Sequence, residues 1–265
     1  MKIMLRPSLL ALDCGNTSVK ATLFGNVGGR EPSGKKPLDI IDTAVWNAED
    51  LEERLGEWNR NHRIPRVAVC SSGMPEGDIV TILRRLGIEK ALVVGESTPV
   101  PVAVEYDRSR LGSDRLCAAV GCHGKHPVLV ADVGTALTLD LVTRDAYCGG
   151  SISPGIRMRL DAMNYFTARL PEVSPEGEAP LVAHDTAEAM RSGAVRGTAF
   201  EIAGKYRMLR KTHKGLKLVL AGGDARLVEP MLQEMDVEYQ TVPGLVAIGM
   251  WKIYVYNNDT TITDE

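Results

Sequence analysis

Two short turns, each built on an aspartate and a glycine, carry the residue types that bind phosphate. The first spans residues 13–17 (Asp-Cys-Gly-Asn-Thr) and follows an apolar segment; the second spans residues 132–135 (Asp-Val-Gly-Thr) and follows another. A glycine lets backbone N–H groups approach a phosphate, and a carboxylate can hold Mg²⁺ that bridges phosphate oxygens. Either turn alone could equally be a plain hairpin whose polar side chains only cap the backbone.

The match between the two turns indicates a duplicated fold. Residues 9–17 and 128–136 both read as an apolar strand, an Asp-x-Gly turn and the start of a second strand. Two such turns in equivalent halves can face each other across a cleft and hold a nucleotide triphosphate. The paired turns resemble those of the actin-like kinases. That resemblance implies an ATP-dependent small-molecule kinase with two duplicated actin-like (ribonuclease H-like) α/β domains, whose mixed central sheets are flanked by helices. The N-terminal domain is expected over 1–125 and the C-terminal domain over 126–265.

A candidate catalytic group precedes an apolar helical segment. Residues 112–115 read Gly-Ser-Asp-Arg, and residues 116–120 are apolar. Asp114 is thus expected near a helix N-terminus, where the helix dipole favours an ionised carboxylate. Such an aspartate can accept a hydroxyl proton during phosphoryl transfer, and Arg115 could anchor a substrate carboxylate or carbonyl. The alternative is an N-cap with a solvated arginine.

Two further glycine motifs could serve the nucleotide. Residues 149–155 (Gly-Gly-Ser-Ile-Ser-Pro-Gly) are expected to form a loop that opens into a helix from Ile156 and could place backbone donors near a phosphate. Residues 221–224 (Ala-Gly-Gly-Asp) end a predicted strand, and their glycines would let an adenine or ribose approach the backbone. A structural connector and a plain turn are the respective alternatives.

Hydrophobic spacing places the remaining elements. It predicts helices over 48–59, 78–86 and 246–254, and strands over 66–70, 91–94 and 216–220. Asp185 and Glu188 fit a capping box at the start of another helix. The stretch 25–36 is expected to be a loop, and the polar tail from Asn257 is expected to fray.

Composition restricts the class of protein. The 265 residues carry 31 Lys and Arg against 34 Asp and Glu, a net charge of −3, which argues against a general nucleic-acid partner. No segment has the length of a membrane span, and Asp13 interrupts the N-terminal apolar run before it could act as a secretory leader. The five cysteines form no C-x-x-C pair, which argues against zinc. A cytoplasmic enzyme with reduced thiols is expected.

Taken together, these motifs resemble the type III pantothenate kinases over nearly the whole chain. The resemblance rests on the following residues in order: Asp13-Cys14-Gly15-Asn16-Thr17 with Lys20, Tyr106, Gly112-Ser113-Asp114-Arg115, 132–140, 149–155, 167–171, Asp185-Thr186 and 222–224. The Gly112–Arg115 group and the 149–155 segment look specific to this family; several of the turns are shared by all actin-like kinases.

The resemblance implies that ATP, with Mg²⁺, phosphorylates the primary hydroxyl of pantothenate as the entry step to coenzyme A. It implies a homodimer whose substrate site is completed across the interface, with a dimer helix in the C-terminal domain. Asp114 would be the general base, and Asp132 would hold a monovalent cation, K⁺ or NH₄⁺, whereas the residues alone suggested magnesium at both aspartates. ATP would contact Asp13, Cys14, Gly15, Asn16, Thr17, Ser18, Val19, Lys20 and Thr135. Pantothenate would contact Tyr106, Gly112, Ser113, Asp114, Arg115 and Thr186, the last possibly from the partner subunit.

Two positions depart from the family pattern. Ser113 stands where alanine is usual, and Arg108 stands in a segment that usually contains proline. Neither change removes a reactive group, so catalysis is expected to be intact. The alternatives are a sugar or acetate kinase of the same superfamily and a non-catalytic nucleotide-binding regulator; Asp114 favours catalysis, since a binding module has no need of a base.

Overall fold

The computed structural model describes residues 5–16, 18–27 and 39–258, which form two compact units. One unit holds the chain up to Gly121 together with the segment from Gly244 onward, and the other is Cys122–Pro243. The closing helix therefore groups with the first unit, whereas the sequence analysis assigned it to the C-terminal half. Thr17, most of the expected 25–36 loop and the end of the polar tail lie outside the described residues.

Strands and helices alternate along both units. The strands are β1 (Leu5–Cys14), β2 (Ser18–Val27), β3 (Asp39–Asn47), β4 (Val67–Ser71), β5 (Ala91–Val93), β6 (Ala103–Val104), β7 (Val128–Val133), β8 (Ala136–Val142), β9 (Ala146–Pro154), β10 (Lys217–Ala221) and β11 (Gln240–Thr241). The helices are α1 (Leu51–His62), α2 (Glu76–Arg85), α3 (Ser113–Cys122), α4 (Ile156–Phe166), α5 (Thr186–Arg191), α6 (Gly197–Leu209), α7 (Ala225–Glu234) and α8 (Leu245–Asn258). No helix in these described ranges is long and apolar enough to cross a membrane.

The two units repeat one sheet topology. In the first, the strand order is β3-β2-β1-β4-β5, with β1, β2 and β3 antiparallel and β4 and β5 parallel to β1. In the second, five consecutive strands of the sheet, β9-β8-β7-β10-β11, have the same pattern of directions. Each Asp-x-Gly turn joins the first two strands of its unit, so the duplication predicted from the turns is confirmed.

The strand before the first turn is buried on both faces. Residues 8–12 of β1 are fully buried, which explains the continuous apolar run over 9–12. One face of β1 packs in a core with α1 and α2 side chains such as Leu55 and Leu83, while α8 contacts β1 and β4. This burial fixes the position of the end of β1, and therefore the position of Asp13.

One predicted loop of the second unit is a strand. Residues 149–154, expected to be irregular because of their glycines and proline, belong to β9 and pair with β8. The glycines are needed for packing: a Cβ on Gly150 would lie 2.0 Å from the carbonyl oxygen of Leu139, and Gly149 has φ +94° beside an irregularity in the strand register. The loop prediction was wrong because glycine in a strand can mark close approach as well as a turn.

The predicted capping box begins α5. The Asp185 carboxylate accepts a hydrogen bond of 2.8 Å from the Glu188 N–H, and Glu188 Oε2 accepts one of 3.2 Å from the His184 N–H. A π-helical turn over 192–196 then joins α5 to α6. Ile202 and Tyr206 of α6 pack in the hydrophobic core of the second unit. The helix expected behind Asp185 therefore exists, with one irregular turn.

Glycine makes the crossing of α3 and α8 possible. A Cβ on Gly249 of α8 would lie 1.8 Å from the carbonyl oxygen of Cys117 in α3, and a Cβ on Gly121 would lie 2.6 Å from the Leu245 carbonyl oxygen. Lys252 of α8 donates to the carbonyls of Val120 (3.1 Å) and Gly121 (2.8 Å) and so caps the end of α3. The helix that carries Asp114 is thus held at its C-terminal end by α8.

Gly249→Ala is expected to destabilise the first unit, since the added methyl group must displace backbone. Overpacking of this kind costs about 1–3 kcal/mol. Urea unfolding measured by circular dichroism checks this. Gly77→Ala in α2 is the matched control, because no heavy atom lies within 4 Å of the position that its Cβ would take; its stability should be unchanged or slightly raised. Equal stability of the two variants would contradict the packing described for α3 and α8.

Candidate active site

The carboxylate of Asp13 is held from both sides at the end of β1. Its register partners are Lys20 on β2 and Cys70 on β4. Lys20 Nζ lies 3.5 Å from Asp13 Oδ2, and the Cys70 thiol donates to Oδ1 at 3.6 Å. The Asp13 side chain is 14% exposed, so it is oriented by its neighbours and still open at one edge.

The turn after Asp13 is closed by a short backbone hydrogen bond. The Gly15 N–H donates to the Ser18 carbonyl at 2.9 Å, and a Cβ on Gly15 would lie 3.1 Å from that oxygen. Cys14 and Val19 are fully buried in the core, so they could meet a ligand only through their backbone. Burial, aided by Asp13, raises the pKa of the Cys14 thiol to about 12, so this cysteine is an inert packing residue, as its size suggested.

A loop at the end of β4 braces this turn and was assigned no role by the sequence. The N–H groups of Ser72 and Gly73 donate to the Cys14 carbonyl at 3.0 and 3.2 Å. A Cβ on Gly73 would lie 2.4 Å from both the Asn16 nitrogen and the Gly15 carbonyl oxygen. Only glycine allows the loop to come this close. The signal in the sequence was a Ser-Ser-Gly directly after a buried strand.

Asp114 lies in the first turn of α3, as predicted, and is half-buried. The Leu116 N–H donates to the Gly112 carbonyl at 3.1 Å, so the helix begins at the expected group. Asp114 Oδ1 accepts from the Arg115 N–H at 2.8 Å. A Cβ on Gly112 would lie 2.5 Å from the same oxygen, so the glycine leaves room for the carboxylate.

Burial raises the pKa of the Asp114 carboxyl above its ordinary value. The hydrogen bond from the Arg115 N–H opposes that effect, and the nearby charge of Asp13 adds to the rise. The helix terminus, which was expected to favour the anion, has a smaller effect here than desolvation. The result is a carboxylate more basic than an exposed aspartate.

Two predicted substrate residues come together next to Asp114. The Arg115 guanidinium lies over the ring of Tyr106, 5.5 Å from its centroid. Arg115 is 6% exposed and Tyr106 is 37% exposed, so the ring covers the cation on one side. The contact holds the guanidinium in a fixed direction without cancelling its charge.

Arg108, one of the two departures from the family pattern, has a structural role. Its Nη2 donates to the carbonyls of Gly95 (2.9 Å) and Thr98 (2.8 Å). It thereby ties the segment after Tyr106 to the loop after β5. Arg108 fixes the backbone here through hydrogen bonds, whereas a proline would fix it by restricting the φ angle.

The second turn gathers the other glycine motifs of its unit. The Gly134 N–H donates to the Ala136 carbonyl, and the Gly155 N–H donates to the Thr135 carbonyl, both at 3.1 Å. A Cβ on Gly155 would lie 2.1 Å from the Gly134 carbonyl oxygen. Gly155 therefore packs on the second turn, next to the exposed Thr135.

The Gly222-Gly223-Asp224 segment also reaches this turn. Gly222 has φ +91°, and a Cβ there would lie 2.2 Å from the Val133 carbonyl oxygen and 2.5 Å from Asp132 Oδ1. The Asp224 N–H donates to the Val133 carbonyl at 3.0 Å, and its carboxylate lies 3.4 Å from Arg157 Nη2. The two motifs predicted to serve the nucleotide thus share one end of the second sheet with Asp132.

The remaining predicted residues are distributed over the two units. Ser18 is half-buried beside the first turn, and Asn16 is exposed. Thr186 is exposed at the start of α5 in the second unit, whereas Tyr106 and Gly112 lie in the first.

The donor set at the first turn fits a divalent ion brought in with a nucleotide. Within the described part of the chain, no three His, Cys, Asp or Glu side chains cluster as an all-protein metal site. Magnesium bound with phosphates uses one or two carboxylates and keeps waters or phosphate oxygens as its other ligands. An oriented and partly open Asp13 beside backbone donors meets that requirement.

Comparison with known proteins agrees with the family resemblance seen in the sequence. The family profile described as type III pantothenate kinase matches residues 9–208. The type III pantothenate kinase of Porphyromonas gingivalis is 32% identical over 255 residues, covering 94% of this chain and 98% of the relative.

Solved structures show the same fold at low identity. A conserved Campylobacter jejuni protein, provisionally described as a Baf family transcriptional activator, has a TM-score of 0.61 over 94% of this chain and 99% of its own, at 19% identity. MreB 5 of Spiroplasma citri bound to AMPPNP has a TM-score of 0.51 over 97% and 98%, at 12% identity. The fold is actin-like, and the sequence match to the family extends over most of the chain. The protein belongs to the type III pantothenate kinases, the enzymes that use ATP to phosphorylate pantothenate in coenzyme A biosynthesis.

Proposed function

We propose that Asp114 is the general base that activates the primary hydroxyl of pantothenate. The observation that carries this assignment is the position of Asp114: a half-buried carboxylate at the start of α3, with Asp13 close enough to raise its pKa. A base works best when its pKa approaches the working pH, and burial moves Asp114 in that direction.

The reaction then follows from the residues of the first unit. Asp114 accepts the hydroxyl proton while the hydroxyl oxygen forms a bond to the γ-phosphorus of ATP. The bond from that phosphorus to the β–γ bridging oxygen breaks, ADP leaves and 4′-phosphopantothenate forms. Asp13 would hold a divalent ion, magnesium in our proposal, together with the phosphates, and the ion would supply positive charge that offsets theirs.

Arg115 and Tyr106 are assigned to the pantothenate end of the site. A guanidinium fixed against an aromatic ring can bind the substrate carboxylate with two parallel hydrogen bonds. Gly112 supplies the space in which Asp114 can turn, and Ser113 belongs to the same segment. Thr186 is assigned as a further pantothenate contact, which one subunit of a homodimer contributes to the site of the other.

The two Asp-x-Gly turns are assigned unequal roles. Asp13, Gly15, Asn16, Thr17, Ser18 and Lys20, with the backbone of Cys14 and Val19, form the site for the ATP phosphates and magnesium. Thr135 contacts the nucleotide from the second turn. Asp132, which neighbours the Gly222 backbone, is assigned as a ligand of a monovalent cation, K⁺ or NH₄⁺.

The reaction is assigned to the cytoplasm, with no nucleic-acid or membrane partner. Support comes from the five cysteines, none of which forms a disulfide, and from the small negative net charge. A sugar kinase of the same superfamily is the alternative that the first assay below would detect.

Asp114→Asn should abolish most turnover and leave nucleotide binding intact. The amide retains the acceptor for the Arg115 N–H but cannot take the hydroxyl proton, and loss of general-base catalysis costs about 10²–10⁴-fold. Product formation with ATP, magnesium and pantothenate gives kcat, and calorimetry gives ADP affinity. Asp145→Asn, at an exposed position of the β8–β9 hairpin, is the charge-matched control. Parental turnover in Asp114→Asn, or activity of the parent on a sugar alone, would refute the assignment.

The same substitution should stabilise the protein at neutral pH. The folded-state pKa of Asp114 is raised above its unfolded value, so the folded state binds that proton more tightly. The wild type therefore loses stability as pH rises from the unfolded pKa through the folded pKa, and asparagine escapes this loss. Urea midpoints across the acidic range should separate as pH increases and converge in acid. A constant difference at all pH values would show that burial of the charge is not the cause.

Replacing potassium with sodium at constant ionic strength should lower activity, since Asp132 is assigned to a larger monovalent cation. Initial rates with each chloride salt measure this. Asp132→Asn should lose the distinction between the two salts. Equal rates of the parent in potassium and sodium would remove the cation role from Asp132 and leave the Asp114 assignment standing.

A further inference from the structure

Two neighbouring residues of β4 link the helix of Asp114 to the turn of Asp13. The first is Ser71, the last residue of β4. The Ser113 hydroxyl accepts from the Ser71 N–H and donates to the Ser71 carbonyl, each at 3.0 Å. Ser113 is only 9% exposed, so its hydroxyl is committed to the backbone of β4.

The second is Cys70, which precedes Ser71. Its thiol donates to Asp13 Oδ1 at 3.6 Å and lies beside the thiol of Cys117. Both thiols are fully buried. Cys117 follows Ser113 by four residues, so the two side chains lie on one face of α3.

These contacts form two parallel bridges because β4 pairs in register with β1. Asp13 is opposite Cys70, and Cys14 is opposite Ser71. The Ser71 hydroxyl further donates to the Met74 carbonyl (2.7 Å) and lies 3.4 Å from the Cys14 carbonyl oxygen. One bridge runs from Ser113 through Ser71 to the turn, and the other runs from Cys117 through Cys70 to Asp13.

The chemistry of the bridges suits the two carboxylates that they connect. Hydroxyl and thiol donors hold the groups without adding charge. Cys70 is fully buried, so water does not compete for its thiol, and the contact with Asp13 Oδ1 is made by a neutral group.

We propose that Ser113 and Cys70 are positioning residues for phosphoryl transfer: they hold the helix of Asp114 at a fixed place relative to the phosphate turn. The inference rests on the proposed function, in which Asp114 is the base and Asp13 serves the nucleotide. Ser113 then acts through Ser71 and Asp114, in place of the direct contact with pantothenate that the family resemblance implies. It also gives a role to the serine that departs from the usual alanine.

The test compares Ser113→Ala, Cys70→Val and Cys70→Ser in the full chain with ATP, magnesium and pantothenate. A small displacement of a reacting group is costly, so we expect kcat to fall about tenfold in Ser113→Ala and Cys70→Val. The KM values for ATP and pantothenate should change little. Cys70→Ser keeps a neutral donor and should retain most of the parental kcat. Hydrogen exchange of the Ser71 amide should accelerate in Ser113→Ala, since its acceptor is lost.

Ser192→Ala is the control for loss of a packed hydroxyl, since Ser192 donates to the Pro180 carbonyl (2.6 Å) in the second unit. It should lower thermal stability without lowering kcat. Asp114→Asn is measured in parallel. Parental kcat in Ser113→Ala beside an inactive Asp114→Asn would overturn the positioning role alone. An active Asp114→Asn would overturn the base assignment and this inference with it. A Cys70→Ser variant as slow as Cys70→Val would remove the donor role of the thiol.

Discussion

The arrangement of the first unit depends on burying the carboxylate of Asp114 close to the carboxylate of Asp13. Burial and like charge both disfavour the second anion, and together they raise the pKa of Asp114. In the proposed role of Asp114 as the general base, the effects that cost stability also make its carboxylate more basic. The surrounding contacts, from the Arg115 N–H to the thiol of Cys70, hold the two groups in place with few added charges.

Glycine is the second constraint, because both turns are packed by backbone that approaches backbone. Gly73 brings the loop after β4 onto the first turn, and Gly155 and Gly222 bring their segments onto the second. Gly249 does the same for α8 and α3, at the far end of the helix of Asp114. Each turn is therefore positioned by elements in close contact, which suits a reaction that depends on orientation.

Much of this could be predicted from the sequence, because the fold repeats a pattern that is visible locally. The paired Asp-x-Gly turns indicated the duplication, and the Gly-Ser-Asp-Arg group indicated the start of α3. The errors arose where glycine was ambiguous: the 149–154 segment is a strand, since Gly150 must fit against Leu139. The strand β3 was missed because its side chains are mostly exposed, and a weakly buried edge strand leaves little hydrophobic pattern. The bridges through Cys70 and Ser71 could not be foreseen, since they depend on the register of β4 with β1 and on the face of α3.

The most direct test of the account is the titration of the Asp114 carboxyl itself, followed by NMR of protein labelled with ¹³C at its aspartates and assigned with Asp114→Asn. We expect this group to titrate above the ordinary aspartate pKa of about 3.9. We also expect Asp13→Asn to shift the titration of Asp114 toward lower pH, since one like charge is removed. A carboxyl that titrates at the ordinary value, and does not respond to Asp13→Asn, would contradict the claim that burial beside Asp13 makes Asp114 the base.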